Sequence, residues 1–280
     1  DQYCASGSPG SIGNGIARNG ELMCYSASQS VKSAQRYLKE LKDFGGDPDH
    51  IREVEEDLER LEEEWDRIYK PQYYGDAFAH PKLITATKNG LELPYWGLIP
   101  HWTKTEEDAK KLWNRTLNAR GETVFEKPSF RTAAKYGRCI IPLDGFYEYY
   151  HENGKTYPFL VQKQDKPLLV GGILSRWVNK KTGEEVPTVS IVTTAANPLM
   201  KVIHNNPKVK QSRMPLILDV PKAMEWMFSE DTAALQELIK PADIDLDAHP
   251  VQKLKGRNAV GNSPEALEPM QYPEMELELE

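Results

Sequence analysis

Arg138-Cys139-Ile140-Ile141-Pro142-Leu143-Asp144-Gly145-Phe146-Tyr147-Glu148-Tyr149 is the stretch that decides the fold. Its apolar run, centred on Ile140 and Ile141, reads as a buried strand over Arg138–Tyr149. Cys139 inside that run is a core residue rather than a reactive thiol. Glu148 emerges from the run beside aromatic residues, surroundings that raise a carboxylate's pKa and suit it to proton transfer.

Outward from this strand the same texture continues, with short apolar segments separated by turn residues. Lys82–Thr87, Leu93–Ile99, Tyr157–Gln162, Pro167–Leu174, Thr188–Thr193 and Met214–Leu218 read as further strands. Helices are sparser here, at Glu106–Trp113, Pro221–Phe228 and Asp231–Ile239. Pro250–Met270, punctuated by Pro, Gly and Asn, is expected to wrap back over the body. The N-terminal part differs. Ser28–Phe44 carries Val31, Ala34, Tyr37, Leu38 and Leu41 at helical spacing and stops at Gly45-Gly46. Asp47-Pro48 then starts a second helix, with Ile51, Val54, Leu58, Leu61, Trp65 and Ile68 along one seam. Glu55, Glu56, Glu59, Glu62 and Glu63 form its wet face. The expected fold is a single α+β domain over 23–270, with a β-rich mixed or antiparallel core and a helical hairpin insertion at about 28–69. Residues 271–280 form an acidic tail. Asp1–Leu22, rich in Gly, Ser and Asn, is expected to be a disordered leader or an appended remnant, with Met23 as the initiator.

The bulk numbers exclude several classes. With 39% hydrophobic and 28% charged residues the chain has an ordinary globular composition, and no apolar run is long enough to span a bilayer. Three scattered cysteines (Cys4, Cys24, Cys139) make neither a disulfide scaffold nor a zinc site; neither a metal nor a cofactor is expected. A reducing, cytoplasmic setting is the default expectation. The net charge of −7 disfavours a nucleic-acid partner, but it is unevenly spread. Between Pro71 and Leu218 there are 21 Lys/Arg against 13 Asp/Glu, a balance of +8. A basic body with acidic appendages remains compatible with DNA.

Four segments are denser in functional side chains than a core requires. If Met23 is removed, Cys24 carries a free α-amine beside its thiol. Such a 1,2-aminothiol condenses with an aldehyde to an imine and then to a five-membered thiazolidine. The stretch Asn118-Ala119-Arg120-Gly121-Glu122-Thr123, followed by Lys127 and Arg131, is suited to gripping phosphate and orienting a sugar. The third segment ends in Glu148. The fourth holds His204, which can shuttle protons near neutral pH, and runs on to Arg213-Met214-Pro215.

Taken in order, these segments resemble the SRAP family, the SOS response-associated peptidases that include the abasic-site processing proteins. The marks are Met23-Cys24, Trp96-Gly97-Leu98-Ile99-Pro100-His101-Trp102, the Asn118–Thr123 stretch, Ile141–Glu148, Thr193-Thr194-Ala195-Ala196-Asn197, and Ile203-His204 followed by Arg213-Met214-Pro215. The resemblance runs from Met23 to about Pro269, apart from the hairpin. It implies that Cys24 bonds covalently to ring-opened abasic sites in single-stranded DNA. Asn118 is then implied to position Cys24 and the sugar, Glu148 to act as acid/base for imine formation and ring closure, and His204 to donate a proton to the sugar oxygen. Arg120 is implied to grip phosphate, with Lys127, Arg131 and Arg213 as further backbone contacts and Trp96 or Trp102 as a stacking face for bases. The implied setting is a monomer in the DNA damage response, cytoplasmic and nucleoid-associated, with replication-fork proteins as candidate partners and no membrane.

Three features depart from the family pattern. Tyr25-Ser26 stands where many relatives have Gly-Arg, the segment Asn205–Ser212 is inserted between His204 and Arg213, and Asp1–Met23 precedes the nucleophile. While that leader is attached, the Cys24 nitrogen is an amide and forms no imine. Two other functions fit the same residues. One is a cysteine peptidase acting on its own leader, with hydrolase or lyase chemistry. The other is a single-strand binder without catalysis.

Overall fold

The structure is a computed structural model and describes residues 25–63 and 65–277. The leader Asp1–Leu22, Met23 and Cys24 lie outside the described residues. The chain opens with strand β1 (Ser26–Gln29) and helices α1 (Val31–Phe44), α2 (Pro48–Glu63) and α3 (Trp65–Ile68). Strands β2 (Gln72–Asp76), β3 (Thr85–Thr87), β4 (Gly90–Glu92) and β5 (Tyr95–Trp96) follow, then α4 (Glu106–Trp113), β6 (Asn118–Arg120) and α5 (Arg131–Tyr136). The long strands are β7 (Arg138–Leu143), β8 (Gly145–Glu152), β9 (Lys155–Gln162), β10 (Leu168–Val178) and β11 (Glu185–Ala195). Then come α6 (Pro198–Ile203), β12 (Arg213–Pro215), β13 (Ile217–Leu218), α7 (Val220–Phe228), α8 (Thr232–Glu237) and β14 (Asp247–Pro250).

The fold is α+β with two sheets. The smaller is antiparallel in the order β14-β9-β8-β1-β2. The larger runs β12-β11-β10-β7-β3-β4, with β13 added on β10 and with β5 and β6 parallel to β11. The stretch read as one strand is two. The chain leaves the larger sheet after Leu143, turns at Asp144 and enters the smaller sheet at Gly145. Gly145 is required at this corner, because a Cβ there would meet the Val161 carbonyl oxygen at 2.7 Å. The Asp144 backbone N–H donates to the Ser28 carbonyl at 2.9 Å, and its carboxylate accepts from the Ser30 hydroxyl at 2.7 Å.

The uninterrupted apolar run in β7 has a direct cause. Successive side chains of a strand point to opposite faces, and β7 is covered on both. Cys139, Ile141 and Leu143 pack between the sheets with Phe146, Phe159, Val161 and Ile191. Ile140 packs on the other face with Ala86 and Ile173, against Leu38 and Leu41 of α1, Val54 and Leu58 of α2, and Trp226 of α7.

The two long helices form where their spacing places them. α1 closes on Gly45 in the left-handed conformation (φ 76°), and Asp47 caps α2 by accepting from the Asp49 and His50 N–H groups. The apolar seam of α2 docks on the chain's own body, and Asp57 accepts from the Leu91 N–H at 2.7 Å. The expected helix start at Ser28 is wrong. Ser26–Gln29 is strand β1, and Ser30 is the residue that precedes the helix. Tertiary bonds override local propensity here: Gln29 Nε2 donates to the Ile84 and Pro142 carbonyls, and its Oε1 accepts from the Ile84 N–H. After β14 the chain folds back over the outer face of the smaller sheet, where Val251, Leu254 and Ala266 cover Tyr74, Tyr147 and Leu160. No described helix is long and apolar enough to cross a membrane.

Candidate active site

β8 alternates its side chains between the inter-sheet core and the outer face. Phe146 points into the core; Glu148, two residues on, shares that face at the end of the apolar layer and is 5% exposed. Its Oε1 accepts from the Tyr149 N–H at 3.0 Å. Its Oε2 lies 3.4 Å from His204 Nδ1 and has no hydrogen-bond partner among the described residues. Burial holds this carboxyl above the ordinary carboxylate range, and the neighbouring His204 and the Tyr149 N–H only partly offset it.

His204 is delivered by α6, which exists because Asn197 caps it, accepting from the Met200 N–H, with Pro198 in its first turn. His204 follows the last helical residue and is 1% exposed. Its Nδ1 sits 3.0 Å from the Arg213 carbonyl oxygen and 3.3 Å from the Arg213 backbone N–H, so the ring finds a partner on β12 in either tautomer. Nε2 is buried and has no partner among the described residues.

Asn118 and Arg120 lie on β6, a three-residue strand that reads as a loop in the sequence. It pairs parallel with β11, setting Asn118 beside Ile191 and Arg120 beside Thr193. Thr193 accepts from the Arg213 guanidinium through its carbonyl at 2.9 Å and its hydroxyl at 3.3 Å. Arg213 in turn bonds His204 through its backbone. One connected set of contacts therefore runs from Arg120 through Thr193, Arg213 and His204 to Glu148. β1 reaches the same place: it is antiparallel to β8 with Ala27 opposite Phe146, so Ser26 and Tyr25 run toward Glu148. Tyr25 accepts from the Ala77 N–H at 2.8 Å and packs its ring 5.0 Å from Phe78.

Two expected DNA contacts are corrected. Trp96 is fully buried and donates from its indole N–H to the Leu117 carbonyl, so it offers no face to a base. Trp102 is 47% exposed and donates from its own indole N–H to the Pro128 carbonyl. Arg213 is 2% exposed and makes two parallel bonds to Glu122, at 3.1 and 2.7 Å. Its fork is committed to a carboxylate, so it builds the site instead of gripping phosphate. Burial raises the Glu122 pKa, but the Arg213 guanidinium outweighs it and leaves the carboxyl below its ordinary value. Lys127 and Arg131 are exposed beside Trp102's anchor at Pro128. Sequence reasoning missed Glu122 and Thr193 as members of the site. Both stand inside motifs that drew attention for other residues.

This α+β architecture, with the Asn-Ala-Arg strand, the buried carboxylate and the buried histidine at one end, defines the class. The model of the SOS response associated peptidase (SRAP) family matches residues 29–258, and the chain belongs to that family. Among its relatives, the abasic site processing protein YoqW of Bacillus subtilis (strain 168) is 38% identical over 187 residues, covering 65% of this chain and 78% of that one. The abasic site processing protein HMCES of Gallus gallus is 31% identical over 248 residues, covering 76% and 70% respectively. A crystal structure of a protein from Bacteroides thetaiotaomicron superposes with a TM-score of 0.72 at 33% identity, over 89% of this chain and all of that one.

Proposed function

We propose that this chain processes abasic sites in DNA, and that it does so by bonding Cys24, as an N-terminal residue, to the ring-opened sugar in a single strand. The observation that carries this reading is the buried Glu148–His204 pair. Each member has an unspent polar atom, and β1 directs the chain that follows Cys24 toward it. Its relatives' names point the same way.

The chemistry follows from the groups present. The Cys24 α-amine adds to the sugar aldehyde, and the resulting carbinolamine loses water to give an imine. The thiol then adds across the C=N bond, its sulfur bonding to carbon and its proton passing to nitrogen, which closes a thiazolidine. Glu148, its pKa raised by burial, supplies a proton to the departing hydroxyl, takes back the one lost from nitrogen as the imine forms, and relays the thiol proton to nitrogen at ring closure. His204 serves the sugar ring oxygen, favouring the open aldehyde on the way in and its re-formation when the adduct reverses. Arg120 grips phosphate, the exposed Lys127 and Arg131 extend the cationic path, and Trp102 stacks a base. The Glu148–His204 contact also fits a thiol that cleaves the Met23–Cys24 bond. That second reading is compatible with the first, since it would release the amine.

A chain beginning at Cys24, incubated with a single-stranded oligonucleotide bearing one abasic site, is expected to give a band shift that survives heat and denaturant. Prior reduction of the aldehyde, or Cys24→Ala, is expected to remove it. A shift that persists in Cys24→Ala would contradict the proposal.

A further inference from the structure

The Glu148–His204 contact crosses between two bodies of the fold. Glu148 stands on β8 in the smaller sheet, whereas His204 is held through bonds to the other side. Its N–H donates to Met200 in α6, its Nδ1 meets the Arg213 carbonyl on β12, and its own carbonyl accepts from the Ser212 hydroxyl. Directly after it comes the inserted loop Asn205–Ser212. A histidine at the mouth of such a loop needs a second anchor to keep a fixed distance from another sheet.

Asn205 supplies that anchor. Its Oδ1 accepts from the His151 backbone N–H at 2.7 Å, and its Nδ2 donates to the His151 carbonyl at 2.9 Å. Both bonds fall on β8, three residues beyond Glu148. Among the described residues β1 pairs with β8 at Gly145 and Phe146, so further along, the edge of β8 opposite β9 has backbone groups in need of partners. The Asn205 amide satisfies one donor and one acceptor there, as the peptide of a neighbouring strand would. The donor–acceptor order matters, because an amide offers both in one plane and a carboxylate offers acceptors alone.

We propose that Asn205 is a positioning residue: its amide clips the His204 loop to the strand bearing Glu148 and thereby sets the separation of the two proton-transfer groups. This deepens the covalent reading above and rests on it. Asn205→Ala removes both bonds, and is expected to slow adduct formation by roughly 10–100-fold, the scale of a displacement of about 1 Å at a reacting pair. The pH–rate profile is expected to shift as well, because the coupling between Glu148 and His204 changes. Affinity for the same strand without the lesion stays as in the parent chain.

Asn205→Asp keeps the side-chain volume and serves if the alanine variant does not fold. At neutral pH its carboxylate still accepts from the His151 N–H but sets a second acceptor against the His151 carbonyl. As pH falls toward the aspartate range near ~4, protonation restores the missing donor. The rate of Asn205→Asp relative to the parent chain at each pH is therefore expected to recover on acidification. Parent rates and an unshifted pH profile in either folded variant would overturn the assignment. A parent chain that forms no adduct would remove the covalent reading itself, and the assignment with it.

Discussion

Two buried polar groupings lie at the junction of the sheets, and they are built to opposite standards. Gln29 on β1 is 1% exposed and has its side-chain amide fully used. Nε2 donates to the Ile84 and Pro142 carbonyls, and Oε1 accepts from the Ile84 N–H and the Tyr69 hydroxyl. Glu148 and His204 are buried to a similar degree, yet Oε2 of one and Nε2 of the other have no hydrogen-bond partner among the described residues. An unsatisfied buried polar atom costs stability, whereas a satisfied one holds structure. The fold therefore tolerates at Glu148 and His204 what it avoids at Gln29, which is the expected mark of groups kept for chemistry.

That contrast is tested most sharply by Glu148→Gln, which keeps shape and hydrogen bonding but removes the ionisable proton. Adduct formation is expected to slow by roughly 10²–10⁴-fold, measured by single-turnover kinetics. Stability should move the other way. Because the folded-state pKa is raised, the native chain holds this proton more tightly than the unfolded chain, and the parent loses stability as pH rises from the ordinary carboxylate value through the folded one. Glu148→Gln escapes that loss. Its melting temperature should exceed the parent's at neutral pH, with the gap closing near pH ~4. A melting temperature that falls at neutral pH would mean that the carboxylate is structural after all.

Gln29→Leu is the converse. It removes the side-chain partner of the Ile84 N–H and of the Ile84 and Pro142 carbonyls, while the Tyr69 hydroxyl keeps its bond to the residue-29 carbonyl, and it is expected to cost about 2–4 kcal/mol in denaturant unfolding. The folded fraction should form adduct at the parent rate. A rate loss with stability intact would dissolve the distinction between the two groupings. The smallest effect is expected from Trp102→Ala, which should weaken binding to single strands by about 1–3 kcal/mol and leave the melting temperature unchanged. Unchanged binding would take the exposed indole off the strand path.

Parts of this arrangement are legible in the sequence for identifiable reasons. β7 is readable because apolar packing on both faces leaves an unbroken run, and α1 is readable because its stripe ends at a glycine that adopts positive φ. β1 is not, since Ser26-Ala27-Ser28-Gln29 has no branched or aromatic residue and becomes a strand through its partners alone. β6 is hidden for the same reason. In the site, Glu148 and His204 are each visible in a motif, but their 3.4 Å contact is made by two sheets meeting and leaves no local trace. The commitment of Arg213 to Glu122 is likewise a matter of long-range packing, so a phosphate contact was the natural reading of a cation in that position.

Whether Cys24 acts through its α-amine as well as its thiol is decided by intact mass under denaturing conditions. A chain beginning at Cys24, incubated with an abasic single strand, should yield one species whose mass is that of protein plus oligonucleotide less one water. The same chain verified by mass to retain Asp1–Met23 should yield none, because its Cys24 nitrogen is an amide and thiol addition alone gives a hemithioacetal that reverts. A denaturant-stable adduct on the leader-bearing chain would contradict the amine requirement and the thiazolidine with it.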